Sequence, residues 1–364
     1  MINKKRLAML ALAASMVLPT NLTYLSGVTP ILAQDATPEV DLTSVNEKIK
    51  TLFTTEGQSQ ISEVNQYSLL VKSGTYTLTE DITSTDLDKV ILIPENETVT
   101  LDLAGKTISS SAWYTLRVKG TLIIKGSGTI DNAYSPDSDD VGSVIWVDTG
   151  DLTIGSLNSS DEVTIKSTTQ DNIYMYGVSV AETASESTIT INNASFSTDG
   201  GVYVNGKLPE SNTTSIELTD VTMDCSDGGI YQAGPASITI KNSEEKEIKG
   251  AKFGIETRAG KLTIDGGKIT GGNGEIVSAS NSNGSTTENA GFVLAQHSTK
   301  LPIEADIKNA TVSGTAALFI GNPQQNEEED LSKIQSIEVA NSELNGSSYD
   351  VAYSEDVISF ELKN

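Results

Sequence analysis

The chain has 364 residues, in which 49 acidic side chains outnumber 24 basic ones for a net charge of −25. A surface of that sign repels nucleic acid and anionic lipid, so nucleic-acid binding is excluded. A single cysteine, Cys225, rules out an intrachain disulfide and reads as a small buried thiol.

Lys4, Lys5 and Arg6 precede an apolar run from Leu7 to Leu18, 12 residues long. That is too short to span a bilayer and reads as the core of a signal peptide, cleaved after Ile31-Leu32-Ala33. Removing residues 1–33 takes away three basic residues and no acidic one, which moves the charge from −25 to −28. No later segment is an apolar run of bilayer length, so membrane insertion is not expected. The localisation implied is secreted or extracellular, with association at the cell surface left open.

Residues 34–98 read as a leader and an N-terminal cap. Leu42, Val45, Ile49, Leu52 and Phe53 fall at helical spacing behind a capping Asp41 or Thr43, which predicts a helix over about 41–55. A stack of repeats exposes apolar cross-section at its ends. This helix, with short strands in a hairpin-like segment from Ser68 to Ile82, is expected to close one end.

From residue 99 to 364 one phrase recurs. It reads Ile191-Asn192-Asn193-Ala194-Ser195-Phe196, then Leu218-Thr219-Asp220-Val221-Thr222-Met223, and again at Ile307–Val312 and Val339–Leu344. An alternating strand ends in an aliphatic residue, Asn, Asp or Gly follows two places on, and a short strand resumes. These residue types accept a left-handed backbone at least cost. The ladder of such positions is Gly105, Gly126, Ser156, Asn193, Asp220, Asn242, Gly266, Asn309 and Asn341. A third strand is visible in each repeat, as in Leu116-Arg117-Val118, Ile145-Trp146-Val147, Val202-Tyr203-Val204, Ile230-Tyr231-Gln232, Ile255-Glu256-Thr257 and Leu318-Phe319-Ile320. Three short strands per coil with one tight bend predict an all-β, right-handed parallel β-helix, a solenoid of about nine coils. Loops at Asp131–Gly142, Asn281–Asn289 and Gln324–Asp330 interrupt it.

The opening from Gly74-Thr75-Tyr76-Thr77-Leu78 to Val99-Thr100-Leu101-Asp102-Leu103-Ala104-Gly105-Lys106-Thr107-Ile108, with the Asn/Gly ladder up to about residue 360, resembles exported bacterial pectate-lyase-like β-helix proteins. The resemblance implies that sugar chains lie along the third-strand face. It does not extend to the Gly-His-Gly motif of polygalacturonases, because the one histidine, His297, is flanked by Gln296 and Ser298.

In the third strand the central residue alternates with apolar neighbours and is expected to point outward. Stacking then predicts an exposed column of Arg117, Trp146, Tyr203, Tyr231, Glu256 and Phe319, to which the coil holding Tyr174 and Tyr176 contributes. A parallel column holds Lys119, Asp148, Asn205, Ala233 and Arg258. Flat aromatics beside polar groups suit a sugar, so a polysaccharide or host-surface glycan is the expected partner. Glycosidase chemistry needs two carboxyls about 5–9.5 Å apart, whereas Asp148 and Glu256 stand four coils, about 19 Å, from one another. A lyase needs a basic side chain and usually calcium. Lys119 next to Asp148 is the catalytic candidate, and Asp137, Asp139 and Asp140 are the calcium candidates. The favoured reading is a non-catalytic, adhesin-like binding protein without a cofactor. A calcium-dependent polysaccharide lyase and a structural spacer are the alternatives.

Overall fold

The computed structural model describes residues 53–56, 61–64, 68–71, 73–136, 140–169, 173–281, 284–295, 301–322, 335–354 and 361–363. Among them there is no helix, and the strands gather into two long sheets and one hairpin. The signal peptide, the leader, the helix over 41–52, the calcium candidates Asp137 and Asp139, and His297 lie outside the described residues.

The first sheet has twelve strands, from Phe53–Glu56 to Glu361–Lys363. The second has nineteen and carries two ladders side by side. One ladder runs through Thr107–Ser110, Gly128–Asn132, Val163–Ser167 and Ala194–Ser197. The other runs through Tyr114–Val118, Asp140–Val147, Ile173–Val180 and Gly200–Val204. The 11-residue strands Thr311–Gly321 and Glu343–Tyr353 span both. From Gly74 onward successive strands in each ladder are parallel, so the chain visits three ladders in turn and stacks on itself as a solenoid-like parallel β-structure.

Alternation explains why these segments form strands. In Ser215–Thr219, Ile216 and Leu218 are buried while Ser215 faces solvent. Register carries this inward face from coil to coil. Leu122, Leu152, Ile189, Ile216, Ile238 and Leu262 form one column, and Ile124, Ile154, Ile191, Leu218, Ile240 and Ile264 form the next. Each buried aliphatic side chain contributes roughly 1.5–3 kcal/mol of transfer free energy. The tube interior is therefore the core, and β-branched residues suit its pleated walls.

The bend ladder falls where it was expected at seven positions. Gly105, Gly126, Asn193, Asp220, Gly266, Asn309 and Asn341 all have φ between 46° and 85°. Two positions differ. In the third bend the left-handed residue is Gly155 (φ 68°) rather than Ser156. Asn242 is not left-handed; its buried amide accepts from the Val221 N–H and donates to the Val221 carbonyl, both at 2.9 Å. There the side chain, instead of the backbone, ties one coil to the one before.

The N-terminal end departs from expectation. Residues 53–56, the expected end of the cap helix, form a strand antiparallel to Gly74–Leu78. Phe53, Thr54 and Thr55 are aromatic and β-branched, and pairing satisfies backbone groups along an otherwise open sheet edge. Ser68–Val71 and Gly74–Leu78 are not a hairpin: the former pairs parallel with Val90–Ile93 and the latter parallel with Thr98–Asp102. Parallel stacking thus begins ahead of residue 99. The polar insertion at 281–289 completes an antiparallel hairpin, Val277–Asn281 with Gly284–Glu288.

Candidate functional site

The third ladder brings the predicted column together. Register aligns Arg117, Trp146, Ser179, Tyr203, Tyr231, Glu256, Val293 and Phe319 in one outward row. Ser179 and Val293 were missed, because their coils offer several equally plausible central residues. Tyr176 stands one row over, level with Ser143 and Gly200.

Exposure is where the structure corrects the sequence. Tyr203, Tyr231 and Phe319 are buried, and Glu256 and Arg258 are 0% and 1% exposed. They do face away from the tube, but a second apolar cluster lies on that face, drawing in Val141, Tyr174, Tyr176, Phe253, Ala290 and Val293. Tyr176, Tyr203 and Tyr231 stack at centroid spacings of 4.9 and 5.6 Å. Glycines make room for these rings: a Cβ at Gly200 would stand 2.4 Å from the Tyr176 ring, and one at Gly228 2.3 Å from the Phe253 ring. The hairpin reaches the same face, where the Thr287 N–H donates to Glu256 Oε2 at 3.1 Å.

Glu256 and Arg258 are paired, although Arg258 Nη1 and Nη2 have no aligned hydrogen-bond partner. Arg258 Nε donates to Glu256 Oε1 at 2.8 Å, and its guanidinium carbon lies 4.6 Å from the centre of the Tyr231 ring. Burial pushes the Glu256 carboxyl up, against the pull of Arg258. For Arg258 burial acts to lower the pKa, but Tyr231 and Glu256 outweigh it and hold the guanidinium charged. This pair is an interior tie in the present arrangement.

At the other end of the row Arg117 and Lys119 are half-buried around a buried Asp148. Arg117 Nη2 lies 2.5 Å from Asp148 Oδ2, Lys119 Nζ lies 3.7 Å from the same oxygen, and Thr183 donates to Asp148 Oδ1 at 2.6 Å. Burial pushes the Asp148 carboxyl up, but the Thr183 bond and the charges of Arg117 and Lys119 prevail and hold it below its ordinary value. Around this knot stand aromatics that the sequence reading passed over. Tyr114 stacks on Trp146 at 5.0 Å, and Trp113 lies parallel to Tyr134 at 6.2 Å. The adjacent Trp113-Tyr114 pair at the entrance to the Arg117 strand was the available signal. Trp113 Nε1 donates to the Val141 carbonyl at 2.6 Å, and the Tyr134 hydroxyl donates to Asp140 Oδ2 at 3.1 Å. Burial and the Asp140 charge push Tyr134 up to about 12.

No protein family, curated protein or solved structure was found to match this chain.

The described residues contain no cluster of three or more His, Cys, Asp or Glu side chains suited to a metal ion. Nor does any described helix have the length and apolarity to cross a membrane. Asp148, the partner foreseen for Lys119, is engaged by three neighbours at once. What the half-buried end offers is a stack of ring faces next to fixed charges, an arrangement suited to binding.

Proposed function

We propose that this chain is an exported, right-handed parallel β-helix protein that binds a glycan without transforming it. Right-handed winding follows from the strong preference of parallel crossover connections for that hand. Export rests on the signal-peptide pattern of residues 1–33. The observation that carries the binding reading is the half-buried aromatic group of Trp113, Tyr114, Tyr134 and Trp146 beside Arg117 and Lys119. Sugar C–H faces stack on such rings while hydroxyls bond the neighbouring polar groups. The site is thus narrower than the full column read from sequence. Arg117 and Trp146 remain in it, while Tyr203, Tyr231, Glu256, Arg258 and Phe319 stand behind it as support.

Glycan-array binding of the wild type and of Trp146→Ala tests this. The expected loss is about tenfold for the best ligand, equivalent to roughly 1.4 kcal/mol. Signals unchanged by Trp146→Ala and by Trp113→Ala would sink the proposal. The burial of Tyr203, Tyr231 and Phe319 favours a second reading, a structural spacer, which a wild type blank on every glycan would support. The lyase reading loses ground because Asp148 is already committed to Arg117, Lys119 and Thr183. Unsaturated product from polygalacturonate or alginate in the presence of calcium would restore it.

A further inference from the structure

Asp227 and Lys252 occupy the same corner of the solenoid in consecutive coils, each in the bend that leads into a third-ladder strand. The Lys252 N–H donates to the Asp227 carbonyl at 2.7 Å, and the Asp227 N–H donates to that of Asp199 at 3.0 Å, so the corner is a backbone ladder in its own right. The side chains meet as well. Lys252 Nζ stands 2.7 Å from Asp227 Oδ1 and 3.6 Å from Glu288 Oε1. Glu288 ends the second strand of the hairpin, Gly284–Glu288.

Three features together set this trio apart from most of the other lysine–acid contacts. It is withdrawn from water, with side-chain exposures of 15%, 8% and 14% for Lys252, Asp227 and Glu288. Lys241–Glu217 and Lys249–Asp224, by contrast, stand about half in solvent or more. Lys252 Nζ, Asp227 Oδ2 and Glu288 Oε1 are buried without an aligned hydrogen bond, and the Asp227 carboxyl is held by its contacts with Lys252 and Tyr174. Buried charges left in that condition are costly. The surroundings are also aromatic: Phe253 follows Lys252 and lies over Gly228, the neighbour of Asp227, and Tyr174 is near enough to feel the Asp227 charge. An amine, a carboxyl and a second carboxyl held together in a dry site make up the set needed to form an amide.

We infer that Lys252 and Asp227 join in an intramolecular isopeptide bond, with Glu288 as the proton carrier. Glu288 takes a proton from the Lys252 ammonium, and the freed nitrogen lone pair attacks Asp227 Cγ, whose carboxyl enters protonated. The Nζ–Cγ bond forms, one Cγ–O bond breaks, and that oxygen leaves as water with the hydroxyl proton and one amine proton. Nothing is oxidised or reduced and no co-reactant is consumed. Glu288 ends protonated, so two buried charges give way to a neutral amide and a neutral acid. Burial pushes the Asp227 carboxyl up, against the opposing charge of Lys252, which favours the protonated acid that the attack requires. The bond links neighbouring coils covalently in a chain whose lone cysteine cannot.

Tryptic mapping of the secreted wild-type protein, followed by tandem mass spectrometry, tests the inference. The expected product is a branched species in which peptide 208–241 is joined to peptide 250–258 with the loss of one water. Lys252→Arg and Glu288→Gln should each yield peptide 208–241 unjoined, together with peptides 250–252 and 253–258 from restored cleavage after position 252, with circular dichroism confirming that the variants fold. Asp227→Asn should still cross-link, but with the loss of ammonia in place of water. Unjoined peptide 208–241 of full mass with cleavage after Lys252 in folded wild type would overturn the inference, as would a branch that maps to Glu288. Cross-linking that persists in Glu288→Gln would remove the role given to Glu288.

Discussion

Asp148 shows how much a single side chain can draw to itself. Burial alone would make its carboxyl harder to ionise, but Thr183, Arg117 and Lys119 more than compensate. Its folded pKa lies below the ordinary one, so the stability it contributes is present above the unfolded value, about 3.9. That contribution is lost as pH falls through the lower folded value. Asp148→Asn should cost about 1.5–3 kcal/mol at neutral pH, the scale of hydrogen bonds to charged groups. Urea midpoints of the two proteins should converge as pH drops below about 4. A gap that stays constant into acid would mean that the carboxylate charge is not what matters. The sequence already placed Lys119 beside Asp148, because a strand-to-strand step of about 4.8 Å follows from the ladder. Arg117 and Thr183 were not foreseen as partners, since side-chain direction at a strand end depends on the packing around it.

Among the elements, the bends carry the clearest sequence signal. Asn193 has φ of 46°, and its amide donates to the carbonyls of Ser156 at 2.6 Å and Ser159 at 3.1 Å. Asn193→Ala loses both bonds and leaves a Cβ in left-handed backbone, at a cost of about 2–3 kcal/mol. Asn193→Gly loses the bonds but relaxes the backbone, so about 1 kcal/mol is expected. Chemical denaturation ranks the three proteins, and equal midpoints for Ala and Gly would show that φ is not the constraint. Asn242 marks the limit of such reading. It sits at the same place in the pattern, yet it acts through its side chain. A residue type that serves both in bends and as a coil-to-coil bridge does not announce which role it takes. The second strand of the hairpin, Gly284–Glu288, was read as part of a loop at 281–289, because that polar segment lacks the alternation that marks a core-facing strand.

For the molecule as a whole, charge and burial oppose one another. Aliphatic columns hold the coils together while a net charge of −25 pushes the surface apart. Raising the ionic strength from about 0.01 M to about 1 M shrinks the screening length from about 30 Å to about 3 Å and should relieve that repulsion. The Tm should rise by about 2 °C or more, the scale of roughly 1 kcal/mol in a large domain. A Tm that falls with salt would assign the net electrostatics to attraction, carried by pairs such as Lys241–Glu217 and Lys125–Asp102.

The sequence by itself determined the all-β stack, most of its bends and the row shared by Arg117, Trp146, Tyr203, Tyr231, Glu256 and Phe319. Strand alternation and left-handed bends are local properties, and a parallel ladder carries them from coil to coil without new information. Only the tertiary structure decided which of those residues meet water. A second apolar cluster buries the middle of the row, the hairpin reaches Glu256, and Trp146 and Arg117 stay half-buried with Trp113 and Tyr134 beside them. It also brought Lys252, Asp227 and Glu288 to one corner. Outward-facing is fixed by a strand's period of two, whereas exposed depends on what distant parts of the chain fold over it.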